Sequence, residues 1–302
     1  MKKLAKDIRK NWVLYAFLIP ALSYIILFCY APMYGIQIAF KDFKISSGIA
    51  GSEWVGFKWF ERFFSSPRSW TMIKNTLRIS LYELLLGFPL PIILALILHN
   101  IRNQNWKRFA QTITYLPYFI STVVLVSMLS LFLSPRSGII NTIFKIFGGS
   151  GDVYFMGKAN YFPHVYVLSS IWQNTGWNSI MYLAALSSVD PTLHEAAEID
   201  GANRFRRVLH VDLPCIVPTI IIMLILKSGT IMSVGYEKAF LMQNNLNLAT
   251  SEIISTYAYK IGLEQQMYSL SAAVSLFNNI INFLILTFVN KMSKKVSDTS
   301  LW

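Results

Sequence analysis

Trp172, Gln173, Asn174, Trp177 and Asn178 fall within seven residues in the middle of an otherwise apolar run. Indole faces stack on the C–H surfaces of sugars, and amides both donate to and accept from hydroxyls. Gln173 and Trp177 are one helical turn apart and so share a face. A second amide set, Asn278, Asn279 and Asn282, lies in a later apolar run, with Asn278 and Asn282 again one turn apart. Either set could line a path for a polar solute. The competing role is interhelical hydrogen bonding, a common use of amides between membrane helices. The first set contains no nucleophile beside a base, and no catalytic residue is expected.

Lys227 is a charge in an apolar run, and Glu83 is another. A charge at mid-membrane costs roughly 2.5–3.5 kcal/mol on insertion scales and therefore pairs or faces water. At about 1.5 Å per residue, Lys227 lies roughly 20 Å above the inner boundary, counted from Pro214. Glu83 lies about 10 Å below the outer boundary, counted from Thr76. In a hydrocarbon core of about 30 Å the depths coincide. Lys227 either pairs with Glu83 or faces a cavity and meets an acidic solute. The depth match favours the pair.

Other chemistry is poorly supported. His194-Glu195-Ala196-Ala197-Glu198 lacks the second histidine of a zincin helix, and His99, His164 and His210 add no ligand spacing. No metal site is expected. Gly148-Gly149-Ser150-Gly151 is followed by no Lys-Ser/Thr pair that could hold phosphates and reads as an external turn.

The elements that position these residues are membrane helices. Of 302 residues, 54% are hydrophobic and only 14% charged, too few charges to cover a soluble domain of this size. Six runs are long enough to span, at about 20 residues each. They are Trp12 to Phe40, Ile79 to Leu98, Phe109 to Leu133, Pro163 to Ser187, Cys215 to Gly235 and Met267 to Asn290. The first is longer than needed and should project or bend near Ala31-Pro32. It is uncharged from Asn11 to Phe40, which favours a retained span over a cleaved signal.

The net charge of +12 would suggest nucleic acid in a soluble chain. Here it reads as an orientation signal. With the N-terminus inside, Lys2, Lys3, Lys6, Arg9, Lys10, Arg102, Lys107, Arg108, Arg204, Arg206, Arg207, Lys291, Lys294 and Lys295 are cytoplasmic. The longer external loops hold fewer cations, Lys238 among them, so both termini are expected in the cytoplasm. Cys29 and Cys215 are expected near opposite faces and unpaired.

Between the fourth and fifth runs lies a polar segment, 190–214. Asp190 can cap a helix, Pro191 suits its opening position, and Gly201 can supply the left-handed residue that ends it. Asn203 can cap a second short helix, and Pro214 would mark a change of direction into the fifth span. Ala196 and Ala197 leave the first helix shallow, open to close approach by another protein, with Glu195 and Glu198 at its rim.

Glu195, Ala196, Ala197, Gly201, Val211, Leu213 and Pro214, with Asp200 and Ala202, resemble the Glu-Ala-Ala coupling segment of binding-protein-dependent ABC importer permeases. Val211 stands where isoleucine is usual. Residues 32–43, 55–60, 74–77 and 115–123 look like the carbohydrate branch that handles oligosaccharides from complex polysaccharides, uronate-bearing ones included. The resemblance implies an all-α type I ABC importer permease fold with six transmembrane helices and a cytoplasmic coupling helix. Residues 1–70 would form the first span and an external loop, and 71–290 the core unit. It also implies a multi-pass subunit of the bacterial cytoplasmic membrane, in contact with lipid and not with nucleic acid. Its partners would be a second homologous permease, two cytoplasmic ATPases and an extracellular solute-binding protein. The chain would bind no cofactor and be no enzyme, ATP and Mg being held by the ATPases. A polytopic membrane enzyme and a secondary transporter are the rival readings. Neither an intramembrane catalytic set nor internal repeats with ion-coupling carboxylates is visible.

Overall fold

A computed structural model describes residues 10–149, 151–297 and 299–302. Lys2, Lys3, Lys6 and Arg9 of the orientation signal, and Ser150 of the glycine-rich turn, lie outside the described residues. The described residues are mostly helical, and the chain divides into two compact units, 1–65 with 258–276, and 66–257 with 277–302. The sequence reading took 1–302 as a single permease domain, with 1–70 and 71–290 as its parts.

Among the described residues, four helices are long and apolar enough to cross a membrane: Trp12–Phe40, Pro67–His99, Arg204–Ser228 and Tyr268–Lys295. In the first unit, the helix beginning at Trp12 changes from α to π at Ile26 and to 3-10 from Ala31 to Phe40, around the expected Ala31-Pro32 irregularity. It leads into a two-strand antiparallel pairing of Lys41–Asp42 with Glu53–Trp54, absent from the sequence reading. Phe40 stacks on Trp54, and the Trp59 indole donates to the Lys41 carbonyl, which ties the hairpin to the following helix, Lys58–Phe64.

In the second unit, three expectations need correction. The third run is not one straight span. It forms Gln104–Phe119 and Thr122–Phe132, bent by 98°. Pro117 opens a 3-10 turn there, and the Ser121 hydroxyl accepts from the Val124 N–H, capping a new helix. The second correction concerns Pro214. Asn203 does cap a helix, through the Arg206 N–H, but that helix runs on to Ser228 instead of turning. A π-turn at Val208–Asp212 widens the backbone just before Leu213-Pro214, and the proline sits where its missing N–H is tolerated. Third, this helix ends at Ser228, seven residues short of Gly235, and a new helix begins at Tyr236.

The polar helix Phe162–Ser187, which carries Trp172 to Asn178, is the hub of this unit. One apolar cluster joins its Tyr182 and Leu186 to Ile92, Ala95 and Ile216. Another joins Phe162, Tyr166 and Val167 to Ile79, Val126, Val234 and Ile253. A Cβ on Gly176 would stand 1.9 Å from the Thr114 carbonyl oxygen, so only glycine lets the helix meet Gln104–Tyr115 this closely.

Candidate functional site

Two regions gather the predicted residues. The first is the segment from Asp190. The Asp190 carboxylate accepts from the Thr192 N–H at 2.9 Å and caps the helix Pro191–Ile199. At the other end the Ala202 N–H donates to the Ala197 carbonyl and the Gly201 N–H to that of Glu198, with Gly201 at φ +76°. This paired closure is the Schellman arrangement, in which the left-handed residue is glycine for want of a Cβ. Glu195, Ala196, Glu198 and Asp200 are exposed, and Ala197 is half-buried. The Arg207 guanidinium pairs with Glu198, fastening the helix to the start of Arg204–Ser228. Ile199 is 88% exposed and Phe205 70%, an apolar surface beside the carboxylates. Leu213 is half-buried and Pro214 exposed.

The second region is a pair of adjoining cavities of about 210 and 280 Å³ beside the polar helix. Asn174, Lys227, Glu83 and Ser170 line both, Asn178 lines the smaller and Gln173 the larger. Lys227 Nζ donates to Glu83 Oε1 at 2.9 Å. The pair reading from depth is therefore what the structure contains, and the pair also faces the cavities.

The remaining predicted residues divide by their partners. Gln173 Nε2 donates to the Ile120 carbonyl at 2.8 Å, at the 98° bend. Trp177 stacks flat on Tyr118, centroids 4.4 Å apart, and edge-on to Phe119. Both hold the bent segment in place. Trp172 lines a separate apolar groove with Leu125, Met128 and Phe132. Asn282 accepts from the Met232 N–H and donates to Ser233 Oγ, satisfying backbone just beyond the end of Arg204–Ser228. Asn278 is buried, Asn279 is exposed, and none of the three asparagines lines either polar cavity.

Lys238 was missed as a site residue. The sequence placed it in an external loop, yet it is 6% exposed and lines the larger cavity. It lies outside the membrane-spanning helices, on Tyr236–Met242, and donates to Ser170 Oγ at 2.7 Å and to the Tyr166 carbonyl at 3.1 Å. Burial pushes its pKa down to about 7, with Glu83 pulling it back up. No local pattern announces it, because the burying surface comes from a helix some 70 residues earlier in the chain.

A family model described as the binding-protein-dependent transport system inner membrane component matches residues 87–297. The match covers the polar helix, the 190–214 segment and both later apolar helices. The chain belongs to this family. The chain is also 41% identical to Protein LplB of Bacillus subtilis (strain 168), over 97% of this chain and 92% of that protein. It is 39% identical to the polygalacturonan/rhamnogalacturonan transport system permease protein YteP of the same organism, over 100% of this chain and 94% of that one. Among solved structures it resembles a chain of a bacterial alginate ABC transporter in complex with an alginate pentasaccharide-bound periplasmic protein. The TM-score is 0.91 at 38% identity, covering 99% of this chain and 100% of that one. These likenesses extend over nearly the whole length of the chain and favour transport over an enzymatic role.

Proposed function

We propose that this chain is one of two membrane-spanning subunits of an ATP-driven importer. It would pass oligosaccharides, uronate-bearing ones among them, from an extracellular solute-binding protein into the cytoplasm. The observation that carries the substrate class is full-length likeness to YteP, named for polygalacturonan and rhamnogalacturonan, and to the transporter of alginate, an acidic polysaccharide. The cavity chemistry agrees with that class: two lysines, Lys227 and Lys238, share a wall with Asn174 and Gln173. Ammonium groups attract carboxylates, and amides share hydrogen bonds with hydroxyls.

The architecture in this reading is six spans with both termini cytoplasmic. Four apolar helices, the bent pair and the polar helix make up the six. At about 1.5 Å per residue the 26-residue Phe162–Ser187 helix is long enough to cross. Its polar composition suits a helix surrounded by protein and cavity instead of lipid. The helix Pro191–Ile199 would dock in a cleft of a cytoplasmic ATPase. Exposed Ile199 and Phe205, flanked by Glu195, Glu198 and Asp200, support this as a partner-facing surface. ATP and Mg would be held entirely by two ATPase subunits, and a second homologous permease would complete the path in the bacterial cytoplasmic membrane.

The test is reconstitution with the cognate binding protein, the second permease and the ATPases in vesicles. Uptake of oligogalacturonates should exceed that of neutral oligosaccharides of equal length. Equal uptake of both would remove the acidic assignment, and failure of any ATPase to co-purify would remove the importer reading.

A further inference from the structure

Three side chains that the transport reading leaves unused meet at the 190–214 segment. His99 closes the Pro67–His99 helix, His194 lies on Pro191–Ile199, and Asp212 immediately precedes Leu213–Ser228. One ring nitrogen of each histidine and one carboxylate oxygen of Asp212 all lie within 4.8 Å of one another. His194 Nε2 stands 3.1 Å from Asp212 Oδ1. Two donors on one tetrahedral zinc, with bonds of about 2.0–2.1 Å, are separated by roughly 3.3 Å.

The state of these atoms also points to a shared ligand. Asp212 is fully buried, and its Oδ1 has no hydrogen-bond partner among the described residues, nor does the buried His99 Nδ1. The His194 ring is therefore near the carboxylate but not aligned to donate to it. Ligands around one cation show this pattern, because their lone pairs aim at a common centre and not at one another. The other carboxylate oxygen, Oδ2, accepts from Asn100 Nδ2 at 3.2 Å, which orients the group as outer-shell partners of metal ligands do. His194 is partly exposed and gives the site an entrance.

We propose that His99, His194 and Asp212 form a binding site for a divalent transition metal, zinc by donor type. Two imidazoles and one carboxylate suit zinc, and three protein ligands leave a fourth position for water. A bound ion would clip the helix Pro191–Ile199 to the end of Pro67–His99 and to the π-turn within Arg204–Ser228, and restrain its motion. That consequence rests on the coupling reading; binding itself does not. Sequence search passes over the site because its ligands are spread over 113 residues, without any short ligand spacing.

The experiment uses the assembled transporter, stripped with chelator, exposed to zinc chloride alone, desalted and assayed for zinc by mass spectrometry. Wild type should retain about one zinc per copy of this chain more than His194→Gln or Asp212→Asn. His194→Gln is the safer variant, since its side chain is partly exposed. Cobalt added in place of zinc should give the visible absorption of a low-coordinate site in wild type only. Equal zinc retention in wild type and both variants would overturn the proposal. Because retention is read without transport, this outcome is distinguishable from failure of the importer reading.

Discussion

Lys227 Nζ and Glu83 Oε1 are 2.9 Å apart, joining two apolar helices 144 residues apart in sequence. Removing one partner leaves the other charge uncompensated at membrane depth. Lys227→Met and Glu83→Gln should each reduce assembly and transport, and the double variant should recover much of the loss. A coupling energy of about 1 kcal/mol or more is expected for such contacting groups. Normal assembly in Lys227→Met, with transport lost and not rescued by Glu83→Gln, would place Lys227 at the solute instead.

Gly201 has a left-handed backbone, and a Cβ there would meet nothing within 4 Å inside the chain. A bulky residue therefore costs only about 1–2 kcal/mol of backbone strain. What it would strike is a partner. Gly201→Trp should keep the subunit in the membrane while abolishing transport and substrate-stimulated ATP hydrolysis. Normal transport in that variant would contradict the coupling role.

Gly176 is the opposite case. Its Cβ would collide with the Thr114 carbonyl oxygen. Gly176→Leu should cost at least the 1–3 kcal/mol typical of overpacking, seen as a lower unfolding temperature and poor assembly. An unchanged midpoint would mean that the two helices can separate freely.

Gln173 supplies the donor for the Ile120 carbonyl at the bend. Gln173→Leu orphans that oxygen and should destabilise by about 1–3 kcal/mol. Cysteines placed at 173 and 177 should differ in reaction with a water-soluble maleimide. Position 173 lines the cavity and should label in at least one transport state. Complete inertness at 173 would leave the residue a purely structural role.

Lys238 has a folded pKa near 7 against an ordinary value of 10.5. Between those values the unfolded chain binds more protons than the folded one, so stability should rise with pH from about 7 upward. The slope is at most about 1.4 kcal/mol per pH unit. Thermal midpoints from pH 6.5 to 8.5 should climb in wild type and flatten in Lys238→Met. Parallel curves would show that Lys238 does not titrate in this range.

The sequence alone determined the features that depend on local or one-dimensional physics. Apolar run length located the helices, and Asp190, Gly201 and Asn203 fixed helix ends because caps act on backbone atoms within a few residues. Depth along the helices even paired Lys227 with Glu83, since a membrane reduces position to a single coordinate. Tertiary structure decided everything that depends on which face meets which. The uncharged run from Phe109 is bent because Gln173 and Trp177, from another helix, support the broken backbone. Lys238 is buried because Tyr166 and Ser170 fold over it. His99, His194 and Asp212 converge only when three separate helices are brought together. Hydropathy reports how far along a helix a residue lies, but not its partner across the bundle, and these sites are made across the bundle.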